Sequence, residues 1–281
     1  MAVGFTINES FPTIELPQMD VETALFVLQR NSQVFVWNTL AAFENNPVTL
    51  AQTETIMTGH SVSGLRLAEL DQVRRYSTGL HRLVHMVKAG EFAMDQATAC
   101  ALHAVVGREE ALAWGVFRKS EVRINAEGYI PPKAEDLPSL ASEGFESLSG
   151  AASPAQRAVA AFLWLFRTQF FYDCNKRAAT LMMVGELVSN GMAPLFVRAQ
   201  DQNLFNTRMR EFYDTGEARG MFGFFADTAK DMYDQWDLNK IPDADNRVPN
   251  ALTVKTLAKS ERGKDVHHAK DADDLFHQLE L

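Results

Sequence analysis

The sequence predicts an all-α fold that carries one short β-hairpin flap, an extended N-terminal arm and a C-terminal helical tail. Apolar residues recur at helical spacing in seven blocks, whereas only residues 115–132 alternate apolar and polar side chains around a turn. Hydrophobic residues make up 46% of the 281 positions and charged residues 22%. This composition is ordinary for a globular protein with ample material for a core.

The helical blocks follow one another closely along the chain. They span residues 21–43, 67–88, 93–114, 154–170, 175–191, 201–215 and 223–236. Thr49 is a candidate N-cap for a further helix, and Asn190-Gly191 is a candidate C-cap. Before the first block, Pro12, Pro17 and alternating apolar residues predict an extended arm.

A polar, proline-containing stretch near residues 239–245 predicts a linker, and a short helix is expected at residues 252–260. We therefore expect three parts. Residues 1–48 form an arm and a first helix, residues 49–238 form the main domain, and residues 239–281 form a linker and tail.

Charge and composition exclude several functional classes. The net charge of −9 and the pI of about 5.3 argue against a duplex nucleic acid as partner, although a nucleotide pocket needs only two or three cations. Cys100 and Cys174 are not spaced as zinc ligands. The N-terminus lacks a signal-peptide pattern and no apolar run approaches the length of a membrane helix. We expect a cytoplasmic protein that is not bound to a membrane.

The most informative run lies at residues 169–178, between two apolar helical blocks. Asn175, Lys176 and Arg177 at a helix N-terminus would combine backbone N–H groups with two cations, an arrangement suited to phosphate. Asp173 could hold a Mg²⁺ ion that bridges the same phosphates. The alternative is a capped helix start whose basic side chains are merely solvated.

This run resembles the Fic/Doc signature His-x-Phe-x-(Asp/Glu)-(Gly/Ala)-Asn-(Gly/Lys)-Arg. Phe171, Asp173, Asn175, Lys176 and Arg177 match it in register. Upstream, ALHAVVGREEALAWGVFRKSEVRI resembles the family's leucine-histidine helix and its Gly-x-Phe-Arg flap. The likeness spans roughly residues 49–226 and implies a Fic-type helical bundle.

The resemblance also implies a chemistry. In this family the loop wraps the phosphates of a nucleotide, usually ATP, and most members move AMP, or in Doc-type members phosphate, onto a protein. The positions implied for catalysis are Gln169, Asp173, Asn175 and Arg177, with Mg²⁺ on Asp173; the cofactor contacts implied are Cys174, Asn175, Lys176, Arg177 and Thr180. The flap at residues 115–132 could pair with an extended segment of the target protein, as in the family, and the alternative is a plain surface hairpin.

Four positions depart from the family pattern. Gln169 stands where the family has its catalytic histidine, and an amide cannot accept a proton as a general base. Cys174 replaces a smaller residue, and Thr180 replaces a second arginine found in many AMP-transferring members. The family's inhibitory helix, (Ser/Thr)-x-x-x-Glu-(Gly/Asn), has its best counterpart at residues 59–64, with Ser63 in place of the glutamate.

Two hypotheses follow. The chain is either a transferase that binds Mg-ATP, or a catalytically weakened Fic fold that binds a nucleotide or a partner in a toxin–antitoxin-like system. Of the other candidate bases, His103 is expected in the core, whereas His60 and Glu127 have no spacing argument. Glu109 and Glu110 are expected to face solvent, and Met182-Met183 to belong to the core.

The tail, residues 247–281, resembles the C-terminal part of RelB/DinJ-type antitoxins. Leu275, Phe276 and Leu279 would anchor it in a groove of a toxin-like partner. The alternative is docking on the chain's own body. The oligomeric state is not predicted.

Overall fold

The computed structural model describes Phe5 and residues 11–124 and 129–234. Contacts divide the chain into two units, Met1–Gln235 and Trp236–Leu281. Residues 235–281, which include the expected linker and tail, lie outside the described residues. Within the described ranges the protein is built from α-helices without a β-sheet, which confirms the predicted all-α class.

The described residues form ten α-helices, and short 3₁₀ turns precede α6 and α9. The helices are α1 (Val21–Arg30), α2 (Ser32–Glu44), α3 (Leu50–Met57), α4 (Leu67–Lys88), α5 (Gln96–Val106), α6 (Leu137–Leu148), α7 (Pro154–Thr168), α8 (Asn175–Ser189), α9 (Gln202–Thr215) and α10 (Arg219–Tyr233).

Local side-chain chemistry explains most of the helix ends. The α4 prediction is confirmed at both ends. Thr49 caps α3 as predicted, because its hydroxyl accepts the N–H of Gln52 at 3.2 Å and the Gln52 side chain reciprocates. The predicted cap after α8 is also confirmed, with Asn190 at the C-cap and Gly191 in the left-handed region beyond it.

Three helix predictions need correction. The first block is two helices, because the Asn31 amide bonds back to Val27 O at 2.9 Å and its backbone leaves helical geometry. The block at residues 93–114 shrinks to α5, which Asp95 caps and which ends before Gly107. Helix α6 was not predicted, although its apolar residues recur at helical spacing.

Helix α8 is the centre of the bundle. It contacts α1, α2, α4, α5 and α7, and nearly all of its side chains are buried. Met182 and Met183 are among them, which confirms that they are core residues. Since α8 begins at the informative run, the core holds the first turn of that helix rigidly in place.

The N-terminal arm is extended from residue 11 to residue 20 and lies along the far end of α8. The Met19 N–H donates to Gly191 O at 2.7 Å, and the Ala193 N–H donates to Pro17 O at 3.0 Å. A Cβ added to Gly191 would lie 2.2 Å from Met19 O, so this close approach requires glycine. The arm thus ties down the end of α8 opposite the motif.

The predicted hairpin is not present in the described parts of residues 115–132. Residues 115–124 and 129–132 contain no strand, and the expected turn at residues 125–128 lies outside the description. The buried Arg118 side chain joins these flanks, because it donates to Ser120 O at 3.0 Å and to Pro132 O. A guanidinium therefore satisfies carbonyls that a strand ladder would otherwise pair.

No helix within residues 11–124 and 129–234 is long and apolar enough to cross a membrane.

Candidate functional site

Two left-handed residues bracket the loop between α7 and α8. Gln169 ends α7 with φ of +54°, and Cys174 starts α8 with φ of +58°. Such backbone costs a residue with a Cβ about 1–2 kcal/mol, so the surrounding contacts must hold the loop in place. Residue 174 is the position at which the resemblance expects a small residue.

Asn175 holds the loop closed. Its buried side chain accepts the Phe171 N–H at 2.9 Å and donates to Phe171 O at 2.8 Å. It also donates to the Gln169 Oε1 at 3.1 Å. This asparagine is therefore a structural clasp and also fixes the orientation of the side chain at position 169.

The Gln169 amide has both ends engaged by protein. Its Nε2 donates to Phe166 O at 2.6 Å, while Oε1 accepts from Asn175. The main-chain oxygen of Gln169 accepts from Arg118 Nε at 2.7 Å. Gln169 lines the cavity described below, but it offers that cavity no proton acceptor with basic strength.

The loop opens onto a cavity of about 540 Å³. This volume falls within the range of ligand pockets, about 300–1,000 Å³. Its walls come from the loop, the end of α2, the flank of residues 123–124, and α9. The lining residues from the loop and α8 are Gln169, Tyr172, Asp173, Cys174, Asn175 and Lys176; the others are Glu44, Arg123, Ile124, Phe166, Asn206, Met209, Arg210 and Tyr213.

Asp173 and Lys176 bring opposite charges to this cavity. Asp173 is exposed, and its Oδ1 accepts the N–H of Cys174 at 2.6 Å, which leaves its second oxygen directed at no described donor. The Lys176 amine donates to Phe43 O at 3.1 Å. No cluster of three His, Cys, Asp or Glu side chains within the described ranges could hold a metal by itself. Asp173 is the carboxylate of the loop that faces solvent, and its role as a Mg²⁺ ligand remains a prediction.

Arg177 matches the motif but does not line the cavity. It is fully buried beneath the loop, between two carboxylates. Its Nε donates to Glu44 at 3.1 Å, and its terminal nitrogens donate to the two oxygens of Glu110 at 2.6 and 2.9 Å. The remaining bonds go to Val106 O at 3.3 Å and to Cys174 Sγ at 2.9 Å. Each of the five N–H groups of the guanidinium thus has an acceptor atom, and the five acceptors belong to four residues.

Glu110 was expected to face solvent, and that prediction is wrong. Helix α5 ends at Val106, and the following turn brings Glu110 back to Arg177, while Glu109 stays exposed and pairs with Arg75 at 2.9 Å. Burial opposes ionisation of Glu110, but the hydrogen bonds and charge of Arg177 outweigh it and lower the pKa of this carboxyl. Sequence spacing gave no signal for this pair.

Glu44 is a second residue that the sequence did not reveal. The expected inhibitory position, residues 59–64, lies in a loop between α3 and α4 and outside the cavity lining. Glu44 and Asn45 at the end of α2 match the last two positions of the inhibitory pattern (Ser/Thr)-x-x-x-Glu-(Gly/Asn). The first position does not match, because residue 40 is a leucine. Glu44, on a neighbouring helix, is therefore an acidic residue that pairs with an arginine of the motif, Arg177.

Cys174 lines the cavity although it is almost fully buried, whereas Thr180 does not line it. Burial raises the pKa of the Cys174 thiol, and its sulfur accepts from Arg177. Thr180 is fully buried, and its hydroxyl donates to Lys176 O at 2.8 Å within α8. Thr180 does not line the cavity, so its role as a cofactor contact remains a prediction.

His103 is a core residue, as predicted. It stacks on Phe171 with ring centroids 3.7 Å apart. Its Nδ1 accepts the Gly115 N–H at 3.0 Å, so Nε2 carries the proton and donates to Asp173 O at 3.0 Å. Burial lowers the pKa of His103 to about 4, and the charge of Arg177 adds to this effect. His103 is a neutral prop for the loop.

Comparison with known proteins agrees with this geometry. A sequence profile described as the Fic/DOC family matches residues 93–187, which run from α5 through the loop and into α8. Over this segment the chain is similar to the Fic/DOC family. The profile covers about a third of the chain and includes Gln169, Asp173, Asn175 and Arg177.

The curated proteins that this chain resembles over most of its length are distant from it in sequence. It is 25% identical over 224 residues to the protein adenylyltransferase Fic of Drosophila yakuba, covering 76% of this chain and 44% of that protein. It is 25% identical over 198 residues to that of Aedes aegypti, covering 68% and 39%. The chain thus spans less than half the length of these relatives.

Solved structures share the fold. Fic-1 (residues 134–508) from C. elegans aligns with a TM-score of 0.60 at 20% identity, covering 75% of this chain and 68% of that one. A Fic-domain signaling protein from Bacteroides thetaiotaomicron aligns with a TM-score of 0.61 at 14% identity, covering 89% and 94%.

A short similarity of another kind is also present. Over 35 residues, 12% of the chain, the sequence is 60% identical to the antitoxin DinJ of Escherichia coli (strain B / BL21-DE3), where the match covers 41% of that protein. The expected docking of residues 247–281 lies outside the described residues and stays a prediction.

Proposed function

We propose that this chain binds a magnesium–nucleotide complex, with ATP as the expected nucleotide, and transfers AMP or phosphate from it to a hydroxyl group of a target protein. The observation that carries the proposal is the loop that Asn175 clasps at the mouth of a 540 Å³ cavity. The match of residues 93–187 to the Fic/DOC family and the similarity to distant adenylyltransferases support nucleotide transfer.

Asp173 would hold Mg²⁺ through its carboxylate. When bound, the ion would supply positive charge against the phosphates. The Lys176 amine has two donors not taken by Phe43 O and can donate to the same phosphates. Asn175 would act by keeping the loop and Gln169 in position.

Transfer would proceed without a general base at position 169. Gln169 can orient an acceptor hydroxyl but cannot take its proton, and such help is worth about 10²- to 10⁴-fold in rate. His103 does not substitute for it, since its two nitrogens are engaged with Asp173 O and the Gly115 N–H. We therefore expect transfer that is slow by at least this factor.

Labelled ATP tests this proposal. Label from the α-phosphate on protein would indicate AMP transfer, and label from the γ-phosphate would indicate phosphate transfer. Gln169→His should raise the rate about 10²-fold or more. In Gln169→His/Asp173→Ala the gain should disappear, because the metal ligand is gone. If Gln169→His binds ATP yet labels nothing, the transfer part of the proposal is wrong.

A second candidate function is nucleotide binding without transfer. Two contacts favour it: the Gln169 amide is engaged at both ends, and Arg177 has no donor left for a phosphate. Saturable ATP binding with no label from either phosphate, in wild type and in Gln169→His, is the result this alternative requires.

A target protein docking at the flanks of residues 115–132, and a toxin-like partner for residues 247–281, complete the proposal. Co-purification of a small protein that is lost on removal of residues 239–281 would support the tail partner.

A further inference from the structure

The motif arginine cannot supply positive charge to the cavity in this structure. Arg177 is buried, its five donors are bonded to protein, and Glu44 and Glu110 surround its charge. Any cationic side chain that contacts a polyphosphate in the cavity must therefore be a different one. Among the described residues, the cations that line the cavity are Lys176, Arg123 and Arg210.

Helix α9 presents one face to the cavity. Asn206, Met209, Arg210 and Tyr213 follow the i, i+3, i+4, i+7 spacing of a single helix face, and all four line the cavity. Met209 and Tyr213 are buried and form the apolar floor, whereas Asn206 and Arg210 are exposed. The helix thus places a guanidinium at the cavity edge on a rigid support.

The two arginines Arg208 and Arg210 of α9 differ in whether they form an ion pair. Arg208 does not line the cavity, and it forms an ion pair with Glu211 at 2.9 Å. Arg210 makes no ion pair or hydrogen bond with any residue in the described ranges. Arg123, exposed on the flank that Arg118 anchors, is likewise unpaired among those residues.

The charges that line the cavity favour an anion. Lys176, Arg123 and Arg210 oppose Glu44 and Asp173. The charge of Glu44 is offset by Arg177, and that of Asp173 is suited to a metal ion. The remaining positive charge belongs mainly to two guanidinium groups, whose planar forks match phosphate oxygens.

We propose that Arg123 and Arg210 bind the phosphate groups of a nucleoside triphosphate in this cavity and so take the part that the motif assigns to Arg177. The inference rests on the proposed function, because it names the residues that would make that site selective for a phosphorylated ligand. Asn206, beside Arg210 on the same face, would hydrogen-bond the same ligand.

Titration calorimetry with ATP and with adenosine, on the full chain, tests the inference. Arg210→Ala and Arg123→Ala should each weaken ATP binding about 10-fold or more, the scale of a charge-assisted hydrogen bond. Their affinity for adenosine should stay unchanged. Arg208→Ala is the matched control on the same helix, and its ATP affinity should equal that of wild type. Raising the salt concentration should weaken ATP binding less in the Arg210→Ala variant.

The failures are distinguishable. If wild type binds ATP saturably and both variants bind it equally well, Arg123 and Arg210 are solvated surface residues and the inference is overturned while the proposed function stands. A loss of adenosine affinity equal to the loss of ATP affinity would also overturn it, because the residues would then not be reading phosphate. If wild type binds no ATP at all, the proposed function itself fails. Thermal melts of each variant verify that it is folded.

Discussion

Replacing Arg177 by methionine should destabilise the protein, because this arginine is part of its core. The change keeps a side chain of similar length but removes the five donors that Glu44, Glu110, Val106 O and Cys174 Sγ accept from. Two carboxylates would then face each other without a cation between them. If Arg177 served only to bind phosphate, its replacement would leave the free energy of unfolding of the ligand-free protein unchanged.

The magnitude follows from burial. Removing one partner of a buried ion pair costs about 3–5 kcal/mol. The carboxylate side chains are 16% exposed for Glu44 and 20% for Glu110, so water partly solvates them and the lower end applies. We expect a loss of about 3 kcal/mol in the free energy of unfolding. For a domain of this size that loss corresponds to a melting temperature lower by about 6–12 °C.

The pH dependence gives a second readout. In wild type the lowered pKa of Glu110 contributes stability above its ordinary value of 4.5, and that contribution is lost as the pH falls through the lowered pKa. Without Arg177 the contribution is absent, so the stabilities of wild type and Arg177→Met should converge as the pH drops below 4.5.

Urea unfolding followed by circular dichroism measures the difference. Arg208→Met is the control, since its exposed pair with Glu211 should contribute at most about 1 kcal/mol. An unfolding free energy for Arg177→Met within about 0.5 kcal/mol of wild type, the usual range for surface changes, would refute a structural role for this arginine.

Three further predictions concern the loop and the tail. Cys174→Gly should change the free energy of unfolding by less than about 1 kcal/mol, because relief of the left-handed backbone offsets the greater entropy of the unfolded chain. Cys174→Val should lower it by more than about 2 kcal/mol, because a β-branched residue is strained in that conformation. Equal urea midpoints for the two variants would contradict this. Because the pKa of His103 is lowered in the folded protein, the unfolded chain binds a proton more readily between pH 6.5 and 4. The free energy of unfolding of the wild type should therefore fall by up to about 3 kcal/mol over that window. This part of the pH dependence should be missing in His103→Gln. Residues 1–238 should fold alone with a melting temperature near that of the full chain, because the helices of the described core are complete by Tyr233; failure to obtain folded protein would show that the domain boundary is wrong.

The all-α class and the central helices could be predicted because their signals are local. In α4, the apolar spacing sets the helix, and in α3 the Thr49 cap fixes its start. The errors arose where a single side chain competes with the helix. Asn31 breaks the first block through its own amide, and periodicity alone does not report that bond.

The site could be predicted only in its sequence-local part. Asp173, Asn175 and Lys176 are close in sequence and all line the cavity, whereas their binding of a nucleotide stays a prediction. The environment of Arg177 could not be predicted, because its two acidic partners lie 133 and 67 residues away along the chain. Arg210 was missed for the same reason, since only the packing of α9 beside the loop brings it to the cavity.

The loop is held mainly by its main-chain atoms. Arg118 donates to the carbonyl oxygens of Gln169 and Phe170, His103 donates to that of Asp173, and the Asn175 side chain binds both main-chain groups of Phe171. Most of these restraints do not depend on which side chain occupies position 169. The backbone conformation of this loop is therefore set largely by residues outside it, and the side chain at position 169 can vary without loss of the fold.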